Sequence, residues 1–315
     1  MFTRFLPSVA CAVIALAAYT GLHAAELVVG PDEEFWTPSE AANYAQDGDT
    51  IIIREGSYED CAVWSANDLT IKAEGEGAQI YGRICQDKGL WVTQGRNISI
   101  ENVIFRDAES PDDNGAGIRA EGANLTLRNV SFIDNQMGIL TTSNPQSALV
   151  IQGGTFRGNG VCANRRGCGH GIYANKIKSL VVEDSNFIAQ QHGHHIKSRA
   201  FRTEILNSEI MDTEKGTSSY LIDIPNGGDL VIKGNIMQKG YNTSNASAAI
   251  AIGFGPGGHP TNTLMITDNR FRNRAPNTTN FVENRLKTPA VLINNRIAGD
   301  ARPLRGRGDV QRRRN

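Results

Sequence analysis

The sequence predicts an all-β fold in one domain, a parallel β-helix built as a solenoid of about ten coils. Three observations predict it. First, similar segments recur along the chain: ISIENVIFRDA, LTLRNVSFIDN, LVIQGGTFRGN, LVVEDSNFIAQ, TEILNSEIMDT, LVIKGNIMQKG, LMITDNRFRNR and VLINNRIAGD. Each is a short alternating apolar strand followed by Asn, Asp or Gly, with a large apolar residue three positions later. Second, those turn residues (Asn102, Asn129, Gly153, Asp184, Asn207, Gly234, Asp268 and Asn294) share a tolerance of positive φ. Third, the apolar anchors Phe105, Phe132, Phe156, Phe187, Ile210, Met237, Phe271 and Ile297 are spaced by 27, 24, 31, 23, 27, 34 and 26 residues. That period is too short for propeller blades of ~40 residues, and the LxxLxL spine of leucine-rich repeats is absent.

The elements follow in chain order. Arg4, the apolar run Val9–Tyr19 and the small residue at Ala24 form an export signal over residues 1–24. No other stretch approaches the roughly 18 apolar residues of a membrane span. The chain is therefore expected to be exported, to the periplasm or the exterior, with no transmembrane segment. The segment TPSEAANYAQDGDTIIIREGSY gives a short N-terminal capping helix that begins at Pro38-Ser39 and breaks at Asp47-Gly48-Asp49. The capped solenoid, one domain over residues 25–301, follows. Beyond the signal lie four cysteines, an even number in an exported chain. Local pairing as Cys61–Cys85 and Cys162–Cys168 would contribute about 3.5 and 2.4 kcal/mol by loop entropy. The segment 302–315 carries six arginines and one aspartate and reads as a basic, disordered tail. A formal charge of −1 on the whole chain, with +5 on that tail and +1 on Arg4, leaves −7 for residues 25–301. A body of that sign does not suggest nucleic-acid binding, and no nucleic acid is expected as a partner.

The combination of GDTIIIREGSY with the later repeats resembles the right-handed parallel β-helix, pectate-lyase-like superfamily, over about Glu26 to Asp300. The resemblance implies a carbohydrate-active protein. It leaves lyase, hydrolase, epimerase and non-catalytic scaffold open, because the fold hosts all of them. The Asp-Pro-His-Asp motif of the epimerases does not occur. The IKS stretch resembles the lysine-bearing coil of β-helix alginate and chondroitin lyases, although SSYLIDIPNGG stands where their downstream arginine is expected.

The second strand of each coil aligns on one isoleucine in GAGIRAE, QMGILTT, GHGIYAN, GHHIKSR and SYLIDIP. With Ile118, Ile139, Ile172, Ile196 and Ile222 inward, alternation sends positions −1, +1 and +3 outward. Position +1 then stacks Arg119, Leu140, Tyr173, Lys197 and Asp223, while His195, Lys197 and Arg199 project from one strand. Three adjacent cations in an acidic body suit an acidic polysaccharide, whose uronate rings are cleaved by β-elimination. A base removes the proton beside the carboxylate and cations hold the developing charge. Lys197 or His195 is expected as the base, Arg199 as a bidentate clamp and Tyr173 as an acid or base partner. Asp223, Asn175, Arg119, Tyr220, Arg165 and Arg166 are expected to bind substrate. His170 and His194 are placed inward at −2, stacked with Tyr220, and His259 is placed in a loop. A zinc site from His192, His194 and His195 is disfavoured by alternation. Calcium suits the fold better than zinc, through Asp223, Asp212 or Glu214. A monomer is expected. The rivals to a lyase are a binding or envelope scaffold without turnover and a hydrolase, which needs paired carboxylates.

Overall fold

A computed structural model of the chain describes residues 24–163 and 167–311. Residues 1–23, which hold nearly all of the expected signal, and Arg165 and Arg166 lie outside the described residues. Helix α1 (Pro38–Tyr44) opens with Thr37 at its N-cap. The Thr37 hydroxyl accepts from the Glu40 N–H, and the Glu40 carboxylate accepts from the Thr37 N–H, so both ends of the capping box close. The helix packs over the first coil, with Tyr44 against Phe35 at 5.5 Å between ring centroids.

Three parallel sheets of twelve, ten and ten strands run the length of the solenoid. The first sheet starts at Glu26–Val29 and ends at Gly308–Gln311. The second starts at Gly56–Glu59 and the third at Ala62–Trp64. All eight predicted turn residues between first and second sheets have φ between 48° and 73°. The backbone thus turns through the left-handed region at one point per coil, and Asn, Asp and Gly are the residues that accept it. The anchors three positions later stack inside the coil: Phe105 on Phe132 at 5.4 Å, Phe132 on Phe156 at 4.8 Å, and Phe156 on Phe187 at 4.6 Å.

Polar residues just after the turn close a second internal ladder. Backbone N–H groups of Ser185, Ser208, Asn235 and Asn269 donate to the side-chain oxygens of Ser208, Asn235, Asn269 and Asn295 in turn. Each coil therefore satisfies the corner of its neighbour, as buried backbone donors require.

Both expected disulfides are present, Cys61–Cys85 and Cys162–Cys168. The second closes a two-stranded antiparallel hairpin of Cys162–Ala163 with Gly167–Cys168. The C-terminal expectation is corrected. Ala301–Gly306 and Gly308–Gln311 are strands, paired with Thr279–Asn284 and Ala290–Ile293. Arginine content suggested a solvated tail, but Leu304 lies in register with Val282 and packs on the core, while Arg302 and Arg305 stay outside. Only residues 312–315 of that segment lie outside the described residues.

Candidate functional site

The third sheet carries the predicted column in the predicted register. Arg119 pairs with Leu140, Leu140 with Tyr173, Tyr173 with Lys197, and Lys197 with Asp223. Strand alternation turns these side chains outward because Ile172, Ile196 and Ile222 fill the core at 0% exposure. Tyr173, Lys197 and His194 line a groove of about 540 Å³, walled on one side by the Cys162–Cys168 hairpin.

The contacts within it are charged and close. Arg199 Nε donates to the Tyr173 hydroxyl oxygen at 2.9 Å, and its Nη1 donates to Asn226 Oδ1 at 2.6 Å. Lys197 Nζ lies 5.1 Å from the Tyr173 ring centroid and 3.7 Å from Asp223 Oδ2. His194 Nε2 stands 3.4 Å from the same Asp223 oxygen. Because the Tyr173 oxygen already accepts from Arg199, its own proton is free to point into the groove.

The histidine stack is also present, though it lines the groove instead of filling the core. His170 stacks on His194 at 4.9 Å and His194 on Tyr220 at 5.2 Å. The His194 N–H donates to His170 Nδ1, and the Tyr220 N–H donates to His194 Nδ1. Both rings are thereby fixed as neutral tautomers with the proton on Nε2. Burial is the main cause that pushes His194 down to about 3, helped by Lys197, Lys239 and His195. His170 is likewise held well below the usual histidine value, first by burial and then by His194, Lys197 and Arg199. Burial pushes Asp223 up to about 6, against the pull of Lys197 and Arg199.

His195 is the main correction. It is 1% exposed, and its Nε2 bonds Asp212 Oδ1 at 2.9 Å inside the coil. The strand begins at Ile196, and at the position just before it strict alternation does not hold. Leu221, Ala249 and Phe281 occupy the same place in later coils and are also fully buried. In the coils before it the position is Gly117, Gly138 and Gly171; a Cβ at Gly117 would meet the Phe132 ring at 2.7 Å.

Asp212 is 0% exposed and shares this interior with Lys239. Burial alone would raise the Asp212 carboxyl, but the His195 hydrogen bond and the His195 and Lys239 charges bring it below its ordinary value. Burial lowers Lys239 to about 8 against the attraction of Asp212, and its ammonium donates to the Ser218 and Ser219 carbonyls. With Asp212 turned inward and Asp223 engaged by Lys197 and His194, the expected calcium ligands do not converge. Among the described residues no cluster of three His, Cys, Asp or Glu could hold a metal ion.

Other expected residues scatter. Asn175 is tied to Thr141, donating from its N–H at 2.9 Å and from Nδ2 at 2.7 Å. Arg119 lies beyond Leu140, 4.0 Å from Glu121, with its Nε buried and without a hydrogen-bond partner among the described residues. Tyr220 belongs to the site through its stack. Sequence reasoning missed Asn226, which steers Arg199, and His259, whose Nε2 bonds the Arg199 carbonyl at 2.8 Å.

Comparison with known proteins agrees with this architecture. A family model for the right-handed β-helix region matches residues 44–217. Among solved structures, ORF18 of Geobacillus virus E2 superposes with a TM-score of 0.54 at 12% identity, over 84% of this chain and 55% of that one. This chain thus spans about half the length of the viral protein. An alginate lyase from Paenibacillus sp. gives 0.48 at 16% identity, over 86% of this chain and 95% of that one. A pectin methylesterase from Erwinia chrysanthemi gives 0.35 at 12% identity, over 88% and 80%. Among curated proteins, none matches the chain.

Proposed function

We propose, from the premise that the chain belongs to the right-handed β-helix family, that it binds an acidic, uronate-containing polysaccharide along the third sheet and cleaves it by β-elimination. The observation that carries this reading is the in-register column Tyr173–Lys197–Asp223, with Arg199 bonded to the Tyr173 hydroxyl and His194 beside Asp223. Lys197 and Arg199 supply two positive charges beside one carboxylate, a surplus that suits an incoming uronate. Their charge also stabilises the enolate-like species formed when the proton beside the carboxylate leaves.

The roles shift from those expected of the sequence. Asp223, pushed up to about 6, is ionised and basic at neutral pH, so it accepts the ring proton in place of Lys197 or His195. The electron pair of that C–H bond forms the ring double bond as the glycosidic C–O bond breaks. The Tyr173 hydroxyl supplies the proton that the leaving oxygen takes. His194 Nε2 stands 3.4 Å from Asp223 Oδ2 and flanks that carboxylate.

Purified protein incubated with alginate, polygalacturonate and chondroitin tests this through the ultraviolet absorbance of the unsaturated product. Lys197→Ala should lower kcat by about 10²-fold with the protein still folded, the scale of removing one charge-stabilising donor. Polymer binding without new absorbance or new chain ends would sink the enzyme and leave a binding protein. New reducing ends without absorbance would replace the lyase by a hydrolase.

A further inference from the structure

The second sheet carries a feature the groove does not use. On its outer face, near the C-terminal end, Arg270, Arg272, Arg274 and Arg296 surround a hollow of about 390 Å³ floored by Ile236 and Met211. All four arginines are exposed, and among the described residues none of their guanidinium groups has a hydrogen-bond or ion-pair partner. Arg270 and Arg296 are direct register partners on adjacent strands. Like charges placed so, about 4.8 Å apart at the backbone, oppose folding unless something anionic lies between them. The next members of the same column are Ile236 and then Glu209, so the nearest carboxylate along it is two coils away, about 10 Å. Glu214 borders an adjoining depression with Lys215 and Arg274, outside the Arg270–Arg296 pair.

Four uncompensated arginines on a body of net negative charge form a local exception, and the apolar floor adds a surface on which sugar C–H faces can lie. We propose that this hollow is a second binding site for the acidic polysaccharide, on a different sheet from the groove, holding a segment of polymer remote from the reacting one. Arg270 and Arg296 stand one strand spacing apart along the solenoid axis, about 4.8 Å, which is of the order of a pyranose repeat, so neighbouring uronate carboxylates meet this pair. Arg272 and Arg274 follow Arg270 along and just past its own strand and widen the cationic rim. A second attachment raises the local concentration of chain at the groove.

The inference rests on the proposed acidic polymer, and titration calorimetry with size-defined oligouronates separates the two. Wild-type protein should bind at two sites per chain, weakening as salt rises. Arg270→Ser with Arg296→Ser should lose one site and weaken long-polymer binding by about tenfold, with turnover of short oligomers unchanged. Lys197→Ala with Arg199→Ser should lose the other site only. One site in wild type, unaffected by the arginine pair, would overturn the second site and spare the groove. Binding lost with the arginine pair and kept in the groove variant would support the second site and sink the groove. No oligouronate binding at all, or arginine-dependent binding only to phosphatidylglycerol vesicles, would overturn the inference.

Discussion

Asp223→Asn is expected to remove activity and to stabilise the protein, in a pH-dependent way that only a buried, incompletely compensated carboxylate produces. In the folded protein Asp223 is pushed from 3.8 up to about 6, chiefly by burial, with Lys197 and Arg199 offsetting only part of that. A folded value above the unfolded one means that the folded state prefers the protonated form. The stability this gives is fully present below about pH 4 and lost as pH rises through about 6. About two units at 1.36 kcal/mol each make the charged form cost about 3 kcal/mol at pH 8. Asparagine is nearly isosteric and never carries the charge. The variant should therefore match wild type near pH 4 and exceed it by up to about 3 kcal/mol at pH 8, a gain of several degrees in Tm. Urea and thermal unfolding of both proteins at pH 4, 6 and 8 measure this. His194, lowered to about 3, titrates in both proteins and largely cancels in the difference. A variant less stable than wild type at pH 8, or an offset independent of pH, would refute the argument and make Asp223 an ordinary structural residue. A stabilising substitution that abolishes turnover is the expected signature of a strained functional group.

Two further predictions concern the scaffold. His195→Ala leaves the Asp212 carboxylate buried without its imidazole, and should destabilise by about 3–5 kcal/mol in urea titration. The kcat of the protein that remains folded should fall by less than about tenfold, through looser placement of His194, whereas a loss of about 10²-fold in fully folded protein would restore a catalytic His195. Cys61→Ser opens the loop to Cys85, 24 residues along the chain, and should lower stability by about 3.5 kcal/mol, read as a shift in urea midpoint that added reductant reproduces in wild type.

How much of this was legible follows from where period-two alternation holds. The turns, the anchors and the column from Arg119 to Asp223 lie inside repeats whose register the sequence displays, and every partner predicted along that column is a register partner in the fold. His195 was misplaced because strict alternation does not hold at position −1, which is buried together with position 0 in coil after coil, inside the strand or just before it. A signal was available: Gly117, Gly138, Gly171, Leu221, Ala249 and Phe281, at the same position, are apolar or have no side chain, as an inward column requires. The error reversed the roles of two adjacent histidines, burying the one expected at the surface and bringing His194 to Asp223. Asn226 and His259 were illegible for a different reason. They reach Arg199 from the loops after the strand, 27 and 60 residues along the chain, where no repeat fixes direction.

The interior changes character at the coils that carry the groove, and this links the scaffold to the site. From Phe105 to Phe187 the core at the anchor position is a continuous stack of phenyl rings. The next anchors are Ile210 and Met237, and the His195 imidazole meets the Phe187 ring nearly perpendicular, at 6.4 Å, where the stack ends. Smaller anchors leave room inside the coil, and His195, Asp212 and Lys239 share it. Such charges cost several kcal/mol each to bury and contribute little to net stability even when paired. Their partners, however, stand directly behind the groove. Asp212 holds the residue next to His194, and Lys239 holds the carbonyl of Ser219, which lines the groove wall. The polar interior therefore fixes the backbone that presents His194 and Tyr220, and a hydrocarbon core of equal volume would leave the Ser218 and Ser219 carbonyls without their Lys239 donor. On this argument the solenoid gives up some core stability in the coils where side-chain position matters most, and keeps its aromatic stack where only packing is required.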